Sequence, residues 1–169
     1  MAVVFINNGV VDHLDALMPL TQTISDFELP ATDDKHFRLS DHLGKLLVLY
    51  FYPKDSTPGC TSGALQFREL QPQFQALGCE IFGISRDSIK SHANFKSKFS
   101  LPFDLLSDTE EVACNLFGVI KMKNMYGKQV RGIERSTFVI DANGVLRQEW
   151  RSVKVDGHGQ NVLEFVKSL

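Results

Sequence analysis

The hydrophobic positions of the chain change period repeatedly, and those changes mark out its elements. Residues 45–52 (KLLVLYFY) are apolar on both alternating faces, the pattern of a central strand covered on both sides, and Pro53 ends it. After Cys60 the apolar residues Ala64, Phe67, Leu70, Phe74 and Leu77 recur at steps of three and four, one face of a helix closed by Gly78. Cys60 therefore stands in its first turn. Residues 79–85 read as a second strand, 88–99 as a Ser-capped helix with lysines on its wet face, and 103–106 as a third strand. The stretch 109–117 predicts a helix with acids in its first turn and Gly118 as its stop. Residues 136–140 and 145–150 flank the Gly-containing turn Asp141-Ala142-Asn143-Gly144, and 160–168 form a terminal amphipathic helix. Ahead of all these, 27–30 and 37–40 predict an entry hairpin about Asp33-Asp34. Strands alternating with helices, then a hairpin and a last helix, predict an α/β fold with a central mixed sheet flanked by helices.

At 169 residues the chain is long enough for one domain with a sizeable core and no staples. That domain is expected over residues 19–169, behind an extension, 1–18, to which the pattern assigns no role. Lys and Arg number 18 against 20 Asp and Glu, so no basic excess points to nucleic acid. The longest near-continuous apolar run, 46–52, is too short to cross a bilayer, so no membrane partner is expected. The first apolar residues have no Lys or Arg before them and carry Asn7, Asn8, Asp12 and Asp15 among them, which does not match a signal peptide. Cys60, Cys79 and Cys114 are an odd number at wide spacing, which fits a reducing compartment and a cytoplasmic location. The five histidines share no metal-ligand spacing with one another or with the cysteines, so no metal site is expected.

One segment carries chemistry. A cysteine attacks as the thiolate, which is favoured by a helix N-terminus, a nearby guanidinium and hydrogen bonds to sulfur. Thr57 puts a hydroxyl three residues ahead of Cys60, and Pro58-Gly59 bends the chain so that backbone N–H groups can face the sulfur or an incoming oxygen. The guanidinium must come from elsewhere. Arg135, at the start of the strand 136–140, is the best candidate, because loops at one edge of an open α/β sheet converge. From spacing alone, a surface salt bridge of Arg135 with Glu134 or Asp141 is an equal reading.

The string Tyr50-Phe51-Tyr52-Pro53-Lys54-Asp55-Ser56-Thr57-Pro58-Gly59-Cys60-Thr61, with Arg135-Ser136-Thr137-Phe138-Val139-Ile140-Asp141, resembles the peroxiredoxins of the bacterioferritin comigratory protein (peroxiredoxin Q) subfamily. Further matching segments begin at Gly83, Leu101, Met125 and Val153, so the resemblance covers nearly everything after Met18. It implies a thioredoxin-like fold and a thiol-dependent peroxidase acting on hydrogen peroxide and small organic hydroperoxides. Cys60 would be the peroxidatic thiol, shielded by Pro53, with Thr57 bonding the peroxide and Arg135 holding thiolate and peroxide oxygens. Gly59 and Tyr52 would wall the substrate pocket. No metal, haem, flavin or other cofactor is implied. The reductant would be thioredoxin, glutaredoxin or glutathione, and the assembly a monomer or weak homodimer.

The chain departs from the subfamily where the resolving cysteine often stands. Many members read Cys-Thr-x-Glu-Ala-Cys, whereas this chain reads Cys60-Thr61-Ser62-Gly63-Ala64-Leu65, and no cysteine replaces it on the next helix, residues 94–98. The expectation is one-Cys recycling by an external thiol. Cys79 and Cys114 read as buried structural thiols, with Cys114 the better internal partner should one act. Two rivals stay open: a thioredoxin-like disulfide oxidoreductase, for which Thr57-Pro58-Gly59-Cys60 supplies only one of two thiols, and a non-enzymatic binding or holdase protein.

Overall fold

A computed structural model gives the fold. It describes residues 21–169, and the extension expected over 1–18 lies outside the described residues. In chain order the elements are β1 (Glu28–Ala31), β2 (Lys35–Arg38), β3 (Leu46–Phe51), α1 (Pro58–Ala76), β4 (Cys79–Ser85), α2 (Ile89–Phe99) and β5 (Leu105–Ser107). There follow α3 (Val112–Leu116), β6 (Ile120–Met125), β7 (Lys128–Ile133), β8 (Ser136–Ile140), β9 (Leu146–Trp150) and α4 (His158–Lys167). Seven strands form one mixed sheet in the order β2-β1-β5-β4-β3-β8-β9. Strands β3, β4 and β5 run parallel, while β1 and β8 join them antiparallel.

The sheet divides two apolar layers by the alternation of its side chains. Leu47, Leu49 and Phe51 of β3 pack with Phe138, Ile140 and the α3 residues Ala113 and Cys114. Val48, Tyr50 and Tyr52 pack on the other side with Cys60, Ala64, Phe67 and Phe74 of α1, Phe95 of α2 and Val162 and Leu163 of α4. A strand covered on both faces has no place for polar alternation, which is why 46–51 read as continuously apolar.

The topology gathers distant residues at one edge of the sheet. β3 delivers the chain outward at Phe51, and Phe51 lies opposite Ser136, the first residue of the antiparallel β8. Arg135 therefore enters beside the loop that leads to Cys60.

Several elements differ from expectation, β5 and α4 by a shift of about two residues at the start. The entry strands sit one or two residues away from 27–30 and 37–40, although Asp33 and Asp34 make their turn with φ of 61° and 56°. The helix expected over 109–117 is only Val112–Leu116, because Glu111 is left-handed at φ 59°. Its first N–H groups go to Asp108, whose Oδ1 accepts from Val112 and Oδ2 from Cys114, both at 2.7 Å. The β6–β7 hairpin was not expected at all. It turns through Tyr126 and Gly127 at positive φ, and only Ile133 among its strand residues is buried, so it lacks the half-buried alternation that reveals a strand.

Candidate active site

Helix α1 begins at Pro58, where a fixed φ and a missing N–H suit the first helical position. Thr57 precedes it in extended conformation, and its hydroxyl donates back to the Lys54 carbonyl at 2.9 Å, closing a tight turn over residues 54–57. Cys60 is the third helical residue. It stands in the first turn, whose N–H groups lack intrahelical partners, and only 2% of the residue is exposed.

Arg135 Nη2 donates to Cys60 Sγ at 3.3 Å, across 75 residues of sequence. This contact decides between the two readings of Arg135: the guanidinium serves the sulfur rather than Glu134 or Asp141. Gly59 makes room for it. A Cβ there would stand 3.2 Å from Arg135 Nη2, whereas one on Gly63 would meet Arg135 Nη1 and Val155 only at 3.9 Å. Pro53, Thr57, Gly59, Cys60 and Arg135 are thus brought together at one end of β3 and α1.

Tyr52 takes a different place from the one expected. It is 1% exposed, its hydroxyl donates to Asp55 Oδ1 at 2.6 Å, and its ring packs among Tyr50, His92 and Phe95. Tyr50, whose ring end lies over Gly83 of β4, lines a small cavity with Arg135, Gly63, Thr137, Val155 and His158. Burial pushes the Tyr50 phenol well above its usual range, and its hydroxyl has no hydrogen-bond partner among the described residues. His158 shares this cavity, with Nε2 2.8 Å from the Thr137 hydroxyl. Burial, and then the Arg135 charge, push His158 down to about 4, so at neutral pH it adds no second cation beside the guanidinium.

The other two thiols lie far from the site. Cys79 opens β4 opposite Leu46, at the far end of a strand about 17 Å long by its rise per residue. Burial, then the neighbouring Glu80, push its thiol up to about 12. Cys114 is fully buried on the opposite face of the sheet from Cys60, and burial with the Asp108 carboxylate pushes it up strongly. All three cysteines are free.

Sequence reading missed a second polar cluster beneath the site, in which Asp55, Asp87 and His92 place one ligand-type atom each within 4.8 Å of one another. Asp55 sits inside the recognisable string, but its partner His92 is 37 residues away and no periodic pattern joins them.

The model for the AhpC/TSA family matches residues 20–149. Peroxiredoxin Bcp of Xanthomonas campestris is 50% identical over 154 residues, covering 91% of this chain and 96% of that protein. A solved structure of the Xanthomonas campestris bacterioferritin comigratory protein, from work on its alkyl peroxide reduction activity, is 51% identical with a TM-score of 0.81 over 84% of this chain and 90% of that one. A cysteine mutant of Xylella fastidiosa PrxQ superposes with a TM-score of 0.86 at 42% identity, covering 89% and 96%. With the guanidinium on the sulfur, the thioredoxin-like sheet and these likenesses together, the chain belongs to the AhpC/TSA family as a peroxiredoxin of the Bcp/PrxQ type.

Proposed function

We propose that the chain is a thiol-dependent peroxidase in which hydrogen peroxide or a small organic hydroperoxide oxidises Cys60. The observation that carries this reading is the Arg135 guanidinium donating to Cys60 Sγ at the head of α1. The thiolate attacks one peroxide oxygen, the O–O bond breaks, and the departing oxygen takes a proton and leaves as water or alcohol. Cys60 becomes a sulfenic acid. Arg135 and the first-turn N–H groups hold the sulfur and stabilise the charge growing on the leaving oxygen, as donors in an oxyanion hole do. Thr57 is placed to bond the peroxide, Pro53 shields the sulfur, and Gly59 lets the guanidinium approach. An apolar groove lined by Pro58, Thr61, Leu65 and Leu70 supports room for an organic tail, in keeping with the alkyl peroxide reduction of the Xanthomonas relative.

Recycling follows a one-Cys route, in which thioredoxin, glutaredoxin or glutathione attacks the sulfenic acid and expels water. A disulfide needs Cα atoms within about 7 Å. Cys79 lies at the far end of β3 and Cys114 behind the sheet, and both thiols are held protonated by burial. We place this domain, residues 19–169, in a reducing cytoplasm as a monomer or weak homodimer. Among the described residues no helix is long and apolar enough to cross a membrane.

One equivalent of hydrogen peroxide, a sulfenic-acid trap and non-reducing peptide mapping test both steps. The expected result is a trap adduct on Cys60 and no internal disulfide. A stoichiometric Cys60–Cys114 or Cys60–Cys79 bridge would replace the one-Cys route, and an unreactive Cys60 would overturn the peroxidase reading.

A further inference from the structure

Asp55, 6% exposed, lies two residues before Thr57, and its carboxylate is held from three sides. Oδ1 accepts from the Tyr52 hydroxyl at 2.6 Å, while Oδ2 accepts from the Ser91 hydroxyl at 2.8 Å and meets His92 Nδ1 at 2.7 Å. Its backbone N–H donates to Asp87 Oδ2 at 2.9 Å, and Asp87 is itself tied to the Ser85 hydroxyl. His92 is fully buried, with Nε2 2.9 Å from the Leu106 carbonyl oxygen of β5.

These contacts fix the protons. A carbonyl oxygen only accepts, so Nε2 carries a hydrogen. A carboxylate also only accepts, so a second hydrogen lies between Nδ1 and Asp55 Oδ2; without it two lone pairs would face each other at 2.7 Å in a dry site. The pair is an imidazolium and a carboxylate sharing one proton. Burial raises the Asp55 carboxyl, but hydrogen bonds and charge from His92, with Tyr52 and Ser91, outweigh it and hold it below its ordinary value. Asp55 Oδ2, Asp87 Oδ2 and His92 Nδ1 each have a hydrogen-bond partner in the protein.

The same anchor controls the backbone above it. Ser56 follows Asp55 in the left-handed region at φ 63°, a conformation unfavourable for a non-glycine residue that persists where its flanks are fixed. Thr57 comes next, bonded to Lys54, and then the first turn of α1. We propose that the Asp55–His92 pair is a positioning element for the peroxidatic cysteine: it fixes the 54–57 turn and, through Thr57, the geometry in which peroxide meets Cys60 and Arg135. This rests on the peroxidase reading.

The full chain with isotope-labelled histidine shows the proton directly: both His92 ring nitrogens are expected to be protonated at neutral pH, and an unprotonated Nδ1 would overturn the shared-proton pair. Kinetics then test positioning, by rapid-mixing oxidation of Cys60 with hydrogen peroxide and by iodoacetamide alkylation of Cys60. In His92→Gln, peroxide oxidation is expected to slow about ten- to a hundredfold, as misplacement of a reacting group does, while alkylation changes less than threefold because Arg135 still faces the sulfur. Asp55→Asn/His92→Gln, an amide pair that needs no shared proton, should recover most of the loss. If His92→Gln does not fold, Asp55→Ala takes its place, with the same slowing of peroxide oxidation and the same sparing of alkylation expected. Wild-type oxidation rates in folded His92→Gln, equal slowing of both reactions, or no recovery in the double variant would each overturn the positioning role. A wild-type Cys60 inert to peroxide would instead sink the underlying peroxidase reading.

Discussion

Cys60 and Cys114 occupy the same position in two helices and are opposite in character. Each is the third residue of its helix and each is buried. Cys60 meets a guanidinium, with no carboxylate in hydrogen-bond contact with its sulfur among the described residues. Cys114 meets Asp108, which takes its backbone N–H and faces its thiol, with Glu111 nearby. The two helix starts are alike, and the charge brought to each sulfur from outside the helix is opposite in sign.

The contrast breaks most completely at Arg135. Arg135→Ala leaves Cys60 at a helix N-terminus without its cation, and kcat/KM for peroxide should fall by about 10²- to 10³-fold, the usual loss of one preorganised donor. Steady-state peroxide consumption with a small thiol as reductant checks this, and a fall of less than threefold would mean that the guanidinium contact does not serve catalysis.

The second break is at the other helix. Asp108→Ala removes the acceptor of two first-turn N–H groups, that of Cys114 buried, and should cost about 2 kcal/mol of stability in urea denaturation. The same change takes away a cause of the raised Cys114 thiol, so Cys114 should alkylate at lower pH while Cys60 oxidation by peroxide is unchanged.

The smallest effect distinguishes the two glycines flanking Cys60. Gly63→Ala places a methyl in ordinary contact, 3.9 Å from Arg135 Nη1 and Val155, and should stabilise by about 0.5–1 kcal/mol in thermal denaturation, with peroxide kinetics unaltered. Gly59→Ala puts its methyl 3.2 Å from Arg135 Nη2, so any stability gained comes with a several-fold slower oxidation of Cys60. Equal kinetics in the two variants would show that the guanidinium has slack that this geometry does not display.

What could be read before the fold was known follows burial and sequence distance. β3, β4 and α1 were legible because their apolar residues are buried at the period of their own element. The β6–β7 hairpin was not, because lysines and exposed methionines fill both of its faces. In the site, Thr57 and Gly59 lie within three residues of Cys60 and carry their reason locally. Arg135 was placed by family resemblance and by the convergence of loops at a sheet edge, and its distance to sulfur by the fold alone. Tyr52 was misassigned because a strand pattern gives the face of a side chain but not the partner of its hydroxyl, and Asp55 takes that hydroxyl. Asp108 was passed over for Glu110 and Glu111, since counting acids near a helix start does not reveal which carboxylate reaches back to the N–H groups.

The seven-stranded sheet, with Cys114 behind it and Cys79 at its far end, also bears on time. An internal resolving thiol gives an oxidised cysteine a lifetime set by a unimolecular rate, the same in every cell and at every dilution. On the proposed one-Cys route, the lifetime of oxidised Cys60 scales inversely with the concentration of thiol outside the molecule. On that reading, the dwell time of the sulfenic acid follows the supply of reductant around it, and the wall of strands makes the protein's recovery second order.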